Sequence, residues 1–540
     1  MEPQYDFVIV GAGSAGCVLA DRLTENGRYR VLLLESGGTN NRFFVNMPLG
    51  FGRCFFDASL NWRYMTQPID RFGGRADYWP RGRILGGSSS INGLVYIRGQ
   101  REDYDQWARL GNVGWGFDDV LPYFKKSEDS EAGADAFHGV GGPLAVSGIK
   151  GREHGVVRAM IDSATALQYP ENADFNGARQ EGVGLYHFTI KDGRRSSSAT
   201  GFLARARRRP NLTIVTNAEV DRVLFEGRRA VGVAFRQSSR SHEVRARCEV
   251  LLAAGAINSP ALLQHSGIGA GDHLQGLGIP VIGSVPAVGR NLQDHVLCGM
   301  QFRVNVRTVN DTLRGPFSQL WAGLRYVLAR NGPLSLSFTQ GGAFLRTRAE
   351  ETRPDTQLYL VPMSFSPNRE SPTAPLQVDG WSGISVSVSP LRPESRGHLK
   401  IVSPDPARQP AIHPNYLATE NDRRVVVDSL KIVQRMAATK PLADIVVERN
   451  RPEGPAVLDD AALERHALAT SRTSYHPCGT CAMGTDERDS VVDARLRVRG
   501  VDRLRVIDAS IMPTIISGNT NAAATMIGEK GADMVMADSR

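Results

Sequence analysis

The segment that most constrains this chain lies near its start. Phe7-Val8-Ile9-Val10 is apolar throughout and runs directly into Gly11-Ala12-Gly13-Ser14-Ala15-Gly16. Val18, Leu19, Ala20 and Leu23 then recur at helical spacing, and Val31-Leu32-Leu33-Leu34 ends at Glu35. Strand, glycine turn, helix and strand make one βαβ unit. Strands apolar at every position suit a parallel sheet covered on both faces, so a doubly wound α/β domain is expected. The glycines follow a dinucleotide fingerprint, with an acid about 20 residues further on. Gly11 permits the turn, Gly13 lets the backbone approach a pyrophosphate, and Gly16 lets helix and strand pack closely. Ser14 and Ala15 open a helix whose N-terminus attracts phosphate charge. Glu35 can accept hydrogen bonds from a ribose and would repel a 2′-phosphate. Such a cradle serves NAD and FAD alike.

A chain of 540 residues with 41% hydrophobic side chains can build one large or two interlocked domains. The formal charge is +8, but the basic residues are dispersed. The densest run, Arg205 to Arg209, is short and reads as solvated surface, so no nucleic-acid partner is expected. Six cysteines do not make a disulfide framework in this length. Cys478-Gly479-Thr480-Cys481 has no second CxxC to pair with, so no metal site is expected, and the two thiols read as small packed side chains. The opening Met1-Glu2-Pro3-Gln4-Tyr5-Asp6 is polar, and no apolar run reaches the roughly 18 residues of a membrane span. A cytoplasmic protein is expected, with peripheral attachment to a membrane face left open.

Further along, residues 79–99 are rich in Gly and Ser, an extended loop suited to close backbone approach. A helix is expected over 103–126. Strand signals at 212–215, 220–225, 230–235 and 248–252 describe an antiparallel excursion that returns to the main sheet. From about 301 to 481 Pro and Ser become frequent, and pieces such as Gly383 to Val388 alternate with loops, a second domain. Leu504 to Asp508 is a buried strand and Ala522 to Val535 an apolar-faced helix that bring the chain back. The expected division is 1–155, 196–300 and 482–540 for the nucleotide-binding domain. Residues 156–195 and 301–481 form an interleaved α+β domain on an antiparallel sheet.

Six segments in order carry a resemblance over nearly the whole length. They are the fingerprint with Glu35; Gly82 to Gly93; Gly255 to Gly269; Val288 to His295; Tyr475-His476-Pro477; and Gly518-Asn519-Thr520-Asn521. Together they resemble the glucose–methanol–choline (GMC) oxidoreductases, in particular the bacterial choline dehydrogenase-like and alcohol dehydrogenase-like branch. The resemblance implies FAD, held on a Rossmann-like domain, and oxidation of an alcohol to an aldehyde. Electrons would pass to a quinone-like acceptor or to oxygen. It implies that Gly86, Gly87, Asn92 and Gly93 lie along the flavin and pyrophosphate, that the backbone at Val220 meets adenine, and that Asp508 sits near the ribityl chain. His476 would act on the substrate hydroxyl with Asn519 as its partner. A base titrating near working pH suits removal of a hydroxyl proton, and a second donor can hold the developing alkoxide.

Departures narrow this further. Ile91 stands where covalently flavinylated relatives have histidine, so FAD is expected to be non-covalent. Gln340 aligns with the glutamate of choline-oxidising relatives, so a primary, uncharged alcohol is expected, with choline as the alternative. Trp62 and Tyr475 could offer aromatic faces to a cation. His295 is expected to tie down a loop over the flavin. An NAD-dependent Rossmann dehydrogenase leaves the 82–93 loop and the His476/Asn519 pair unexplained. A lyase or a non-catalytic flavoprotein on the same scaffold stays open.

Overall fold

The computed structural model describes residues 4–366, 371 and 373–539. The leading Met1-Glu2-Pro3 and the domain limit at Arg540 lie outside these. The nucleotide-binding unit is built on a parallel sheet in the spatial order Leu212–Thr216, Val31–Glu35, Tyr5–Val10, Arg240–Leu252, Leu504–Val506. Val8 lies opposite Leu32 on one side and Val250 on the other. All six residues of the first strand are buried, as its unbroken apolar run requires. The order reverses at this strand, and that reversal opens a crevice at the carboxyl ends of the strands, where α/β sheets take their ligands.

The expected antiparallel excursion is present. Ala218–Glu226, Arg229–Gln237 and Arg240–Leu252 form a meander whose last strand continues into the parallel sheet. Leu212–Thr216, expected in that excursion, pairs instead in parallel with Val31–Glu35. The single helix expected over 103–126 is two, Arg101–Arg109 and Phe117–Ser127. Gly111 and Gly114 adopt positive φ between them and turn the chain.

Two helices from opposite ends of the chain pack together on the parallel sheet. They are Ser14–Thr24 and Asn521–Asp538. Their contact is so close that a Cβ on Gly528 would stand 3.0 Å from the Ala15 backbone. Buried Arg22 donates to both carboxylate oxygens of buried Glu529, at 2.8 and 2.7 Å. The bidentate fork satisfies both ions inside the core.

The second sheet is antiparallel, in the order Val446–Arg451, Val296–Val304, Gly383–Pro390, Thr356–Val361, Gly341–Leu345, Gly182–Leu185. Its Val296–Val304 strand straddles the expected limit at 301. The helices Gly155–Ala166 and Glu420–Ala437 cover one face through Val157, Met160, Ile161, Val426, Leu430 and Val433, packed against Leu358, Leu360, Val386 and Val388. Side chains alternate along a strand, so Tyr359, Val361, Ser385 and Ser387 point the other way, into a cavity shared with the parallel sheet.

Candidate active site

One cavity runs from the glycine fingerprint to the second sheet. Gly11, Gly13, Ser14, Ala15, Glu35, Gly87, Asn92, Gly93, Asp508, His476 and Asn519 all line it. Three expected site residues do not. Gly16 is buried in the packing of helix on turn, where a Cβ would fall 1.9 Å from the Gly11 carbonyl oxygen. Gly86 donates its N–H to the Ala12 carbonyl at 2.7 Å and so docks the 82–93 loop onto the fingerprint. Val220 lies on the meander, paired with Phe235, outside the lining.

The nucleotide half fits a dinucleotide on its own geometry. No side chain caps the helix Ser14–Thr24 and no acid sits in its first turn, so its leading N–H groups are left for an anion. A Cβ at Gly13 would meet no protein atom closer than 3.7 Å, so the demand for glycine there comes from what occupies the cavity. Glu35 accepts from the Ala12 N–H at 2.9 Å and the Gly37 N–H at 2.8 Å, and each oxygen keeps a lone pair. Burial pushes its pKa up to about 7, against the pull of those two bonds. Asp508 accepts from Gly255 N–H, Ser259 Oγ and Ser510 N–H, which holds the carboxylate at the sheet's crevice. Asn92 is fixed by Arg195, which donates to its Oδ1 at 2.6 Å. Ile91 lines the cavity as bare hydrocarbon and offers no atom for covalent attachment.

Two hydrogen-bond chains converge on His476 and fix which of its nitrogens is the acceptor. Nε2 of His295 lies 3.0 Å from the Leu391 carbonyl, which only accepts, so Nε2 carries the proton. Burial lowers the His295 pKa to about 4, so the ring is neutral and its Nδ1 is a lone pair. That lone pair faces Nδ1 of His476 at 3.0 Å, which must therefore be the N–H. Nε2 of His476 is left as the acceptor.

The second chain starts at the Leu358 carbonyl, which accepts from the Tyr186 hydroxyl at 2.8 Å. Tyr186 must then accept from Gln357 Nε2, at 2.9 Å. The same amide nitrogen donates to Asn519 Oδ1 at 3.1 Å, which turns Asn519 Nδ2 toward His476 Nε2, 3.1 Å away. Both chains end on one lone pair, beside an amide donor, at the cavity wall. Burial drives the His476 pKa well below the usual histidine value, helped by the positive charge of Arg81.

The backbone under His476 is equally constrained. Asp294 accepts from the His476 N–H at 2.7 Å, from Thr473 Oγ1 at 2.6 Å and from the Tyr416 hydroxyl. Tyr475 is held at φ +67°, an unfavourable conformation for a bulky residue. Arg81, donating to the Tyr475 carbonyl at 3.0 Å, and Thr473 Oγ1, accepting its N–H at 2.7 Å, hold it there. Asp294 and the His295–His476 contact are absent from the sequence reading. Gln293-Asp294-His295 stands out as a motif, but nothing in it marks a partner 181 residues away. His295 does tie a loop down, through Leu391, and it also orients the His476 ring.

Gln340 does not line the cavity. It is buried, its Oε1 accepts from the His154 N–H at 2.7 Å, and Thr339 lines the cavity in its place. Register explains the slip: Gln340 directly precedes Gly341–Leu345, and one residue reverses the face a side chain occupies. The face of Trp62 is covered by Arg83, whose guanidinium carbon lies 4.8 Å from the ring centroid.

The GMC oxidoreductase N-terminal and C-terminal family profiles match residues 5–297 and 393–528. The chain belongs to the GMC oxidoreductase family. It is 40% identical to mouse mitochondrial choline dehydrogenase, covering 98% of this chain and 89% of that protein. It is 39% identical to the alcohol dehydrogenase [acceptor] of Pseudomonas putida, covering 98% and 96%. Pyridoxine 4-oxidase from Mesorbium loti superposes with a TM-score of 0.88 at 32% identity, over 98% and 99% of the two chains. This member of the family is accordingly an FAD-dependent oxidoreductase acting on CH–OH donors.

Proposed function

We propose that the protein oxidises a primary, uncharged alcohol to the aldehyde, with His476 as base and Asn519 as hydroxyl partner. The observation that carries this is the His476 Nε2 lone pair, fixed at the cavity wall beside the Asn519 amide donor. A substrate hydroxyl that takes the place of the Asn519–His476 contact, donating to Nε2 and accepting from Asn519 Nδ2, is deprotonated and stabilised at one oxygen. His476 becomes an imidazolium as it takes the proton, and the His295 lone pair accepts from its Nδ1–H throughout. FAD supplies the hydride acceptor. The fingerprint amides, Glu35, Asn92 and Asp508 would hold it without a covalent bond, and the backbone at Val220 would lie near adenine.

Charge selects the substrate. Among the described lining residues the carboxylates are Glu35 and Asp508, both bonded within the nucleotide half, whereas Arg81 and Arg472 bring positive charge. A quaternary ammonium finds no counter-ion there. Choline, named in several relatives, is the competitor to test. The electrons would go to a quinone-like acceptor or to oxygen. Six free cysteines suit a reducing, cytoplasmic setting. The discontinuous division into 1–155, 196–300 and 482–540 against 156–195 and 301–481 would separate the flavin-holding part from the substrate-holding part, with the strand Val296–Val304 crossing between them.

The test is anaerobic mixing of the purified yellow protein with straight-chain alcohols, benzylic alcohols and choline. Neutral primary alcohols should bleach the flavin faster than choline. Faster bleaching by choline overturns the substrate assignment, and no bleaching by any alcohol overturns the reaction. Acid precipitation should leave the flavin in the supernatant.

A further inference from the structure

The helix Pro316–Ala329 is inverted. Phe317, Leu320, Trp321, Leu324 and Leu328 fall at helical spacing on one face, and that face points to solvent. Phe317 is 86% exposed, Leu328 75%, Leu320 71% and Trp321 67%. Surface helices ordinarily turn such a stripe inward, yet this one anchors itself only through Ala322 and Tyr326. Behind the helix Phe43 meets buried Tyr326 edge-on at 6.0 Å and Phe44 at 5.4 Å, and both phenylalanines are themselves exposed. The stripe of large apolar side chains is of the kind that marks an interaction site.

Its charge identifies the partner. From Thr312 to Ala349 the chain carries five arginines and no Asp or Glu, and from Ser36 to Phe56 it carries Arg42 and Arg53 and again no acid. Arg194 joins this edge, since Gly193 packs onto the Arg330 carbonyl. Among the described residues Arg42, Arg53, Arg194, Arg325 and Arg330 carry charges that no carboxylate offsets within ion-pair distance, whereas Arg314 pairs with Asp311. A second copy of this face would set these cations against themselves, because a twofold interface brings like patches together. Exposed Trp and Phe rimmed by arginine match the headgroup layer of an anionic bilayer.

We propose that this face docks the enzyme on a membrane surface bearing anionic lipid, with the helix lying in the plane of the headgroups. The patch adjoins the cavity. Phe51 stacks on Phe338 at 4.9 Å, both line the cavity, and Phe51 opens the short helix Phe51–Cys54 that follows the helix Phe43–Asn46. Docking therefore sets an aromatic wall of the cavity beside the lipid, from which an apolar alcohol or a lipid-dissolved acceptor would enter. Docking is independent of the alcohol chemistry, and its assay needs no turnover.

The test is flotation of the holoenzyme with phosphatidylcholine vesicles, with and without phosphatidylglycerol. Binding is expected with phosphatidylglycerol and should fall about tenfold at high salt. A Phe317→Ser/Trp321→Ser/Leu328→Ser variant should bind at least about tenfold more weakly while retaining turnover of a water-soluble alcohol. Arg325→Glu/Arg330→Glu should erase the preference for phosphatidylglycerol. Absence of wild-type binding, or unchanged binding by the serine variant, overturns the proposal. A wild-type dimer in light scattering that the serine variant converts to monomer also overturns it, by assigning the face to self-association.

Discussion

The His295–His476 contact yields the sharpest expectation. His295→Leu removes the acceptor for the His476 Nδ1–H, a 3.0 Å bond in a fully buried site. Two consequences follow. The reactive tautomer now buries an unsatisfied N–H. The imidazolium formed on proton transfer also loses a charge-assisted hydrogen bond, about 1.5–3 kcal/mol. At about 1.4 kcal/mol per tenfold, the rate of flavin reduction should drop roughly 10- to 150-fold. The tautomer cannot simply switch, because a proton on Nε2 would face the Asn519 N–H, whose orientation Gln357 fixes. His295→Asn, which can present an oxygen near the lost Nδ1, should recover most of the rate. The assay is anaerobic stopped-flow reduction across pH. In the wild type the acid limb should lie below the ordinary histidine pKa, because burial depresses His476. In His295→Leu it should move lower still, since the protonated form is further destabilised. A folded, flavin-replete His295→Leu enzyme that is reduced at the wild-type rate, with an unmoved acid limb, would refute the tautomer argument.

Other expectations rest on neighbouring features. His476→Ala should keep flavin and fold but slow reduction on the order of 100- to 10,000-fold. Asn519→Ala should cost less, and the double variant less than the product of the two, because both act on one oxygen. Equal losses for the two single variants in stopped-flow would contradict their division of labour. FAD affinity should rise with pH through about 7: ribose hydroxyls donate to the charged Glu35, whose pKa burial raises to about 7, so binding expels its proton. Fluorescence titration showing affinity independent of pH between 6 and 8 would remove Glu35 from the ribose site. Arg22→Met leaves Glu529 buried without its bidentate partner, a loss of about 3–5 kcal/mol. Urea unfolding of the holoenzyme with an unchanged midpoint would show the pair to be dispensable.

Local signals carried much of this. The apolar runs 7–10 and 31–34, the turn glycines between them and the acid at 35 dictate their own geometry, since each acts on atoms within a few residues. The lone strand 504–506 was legible for the same reason. What escaped was set by tertiary context. Leu212–Thr216 reads as any strand, and its parallel pairing depends on an edge left open by residues 31–35. Gln340 was misplaced because one residue of register reverses a face. The Asp294 and His295 roles arise from a loop meeting another about 180 residues later, and the Gln357–Tyr186 bonds that aim Asn519 link three distant segments.

The joining of Ser14 to Asn521, whose Oδ1 accepts from the serine hydroxyl at 2.8 Å, bears on the order of biosynthesis. The nucleotide cradle leaves the ribosome 507 residues before the helix that completes it. At about 5–20 residues per second, the interval between them is on the order of a minute. Within that interval the strand Tyr5–Val10 first waits for its neighbour Arg240–Leu252, and the crevice then waits for its closing helix Asn521–Asp538. A chain that stops before Asn521 has every fingerprint glycine and no finished cradle.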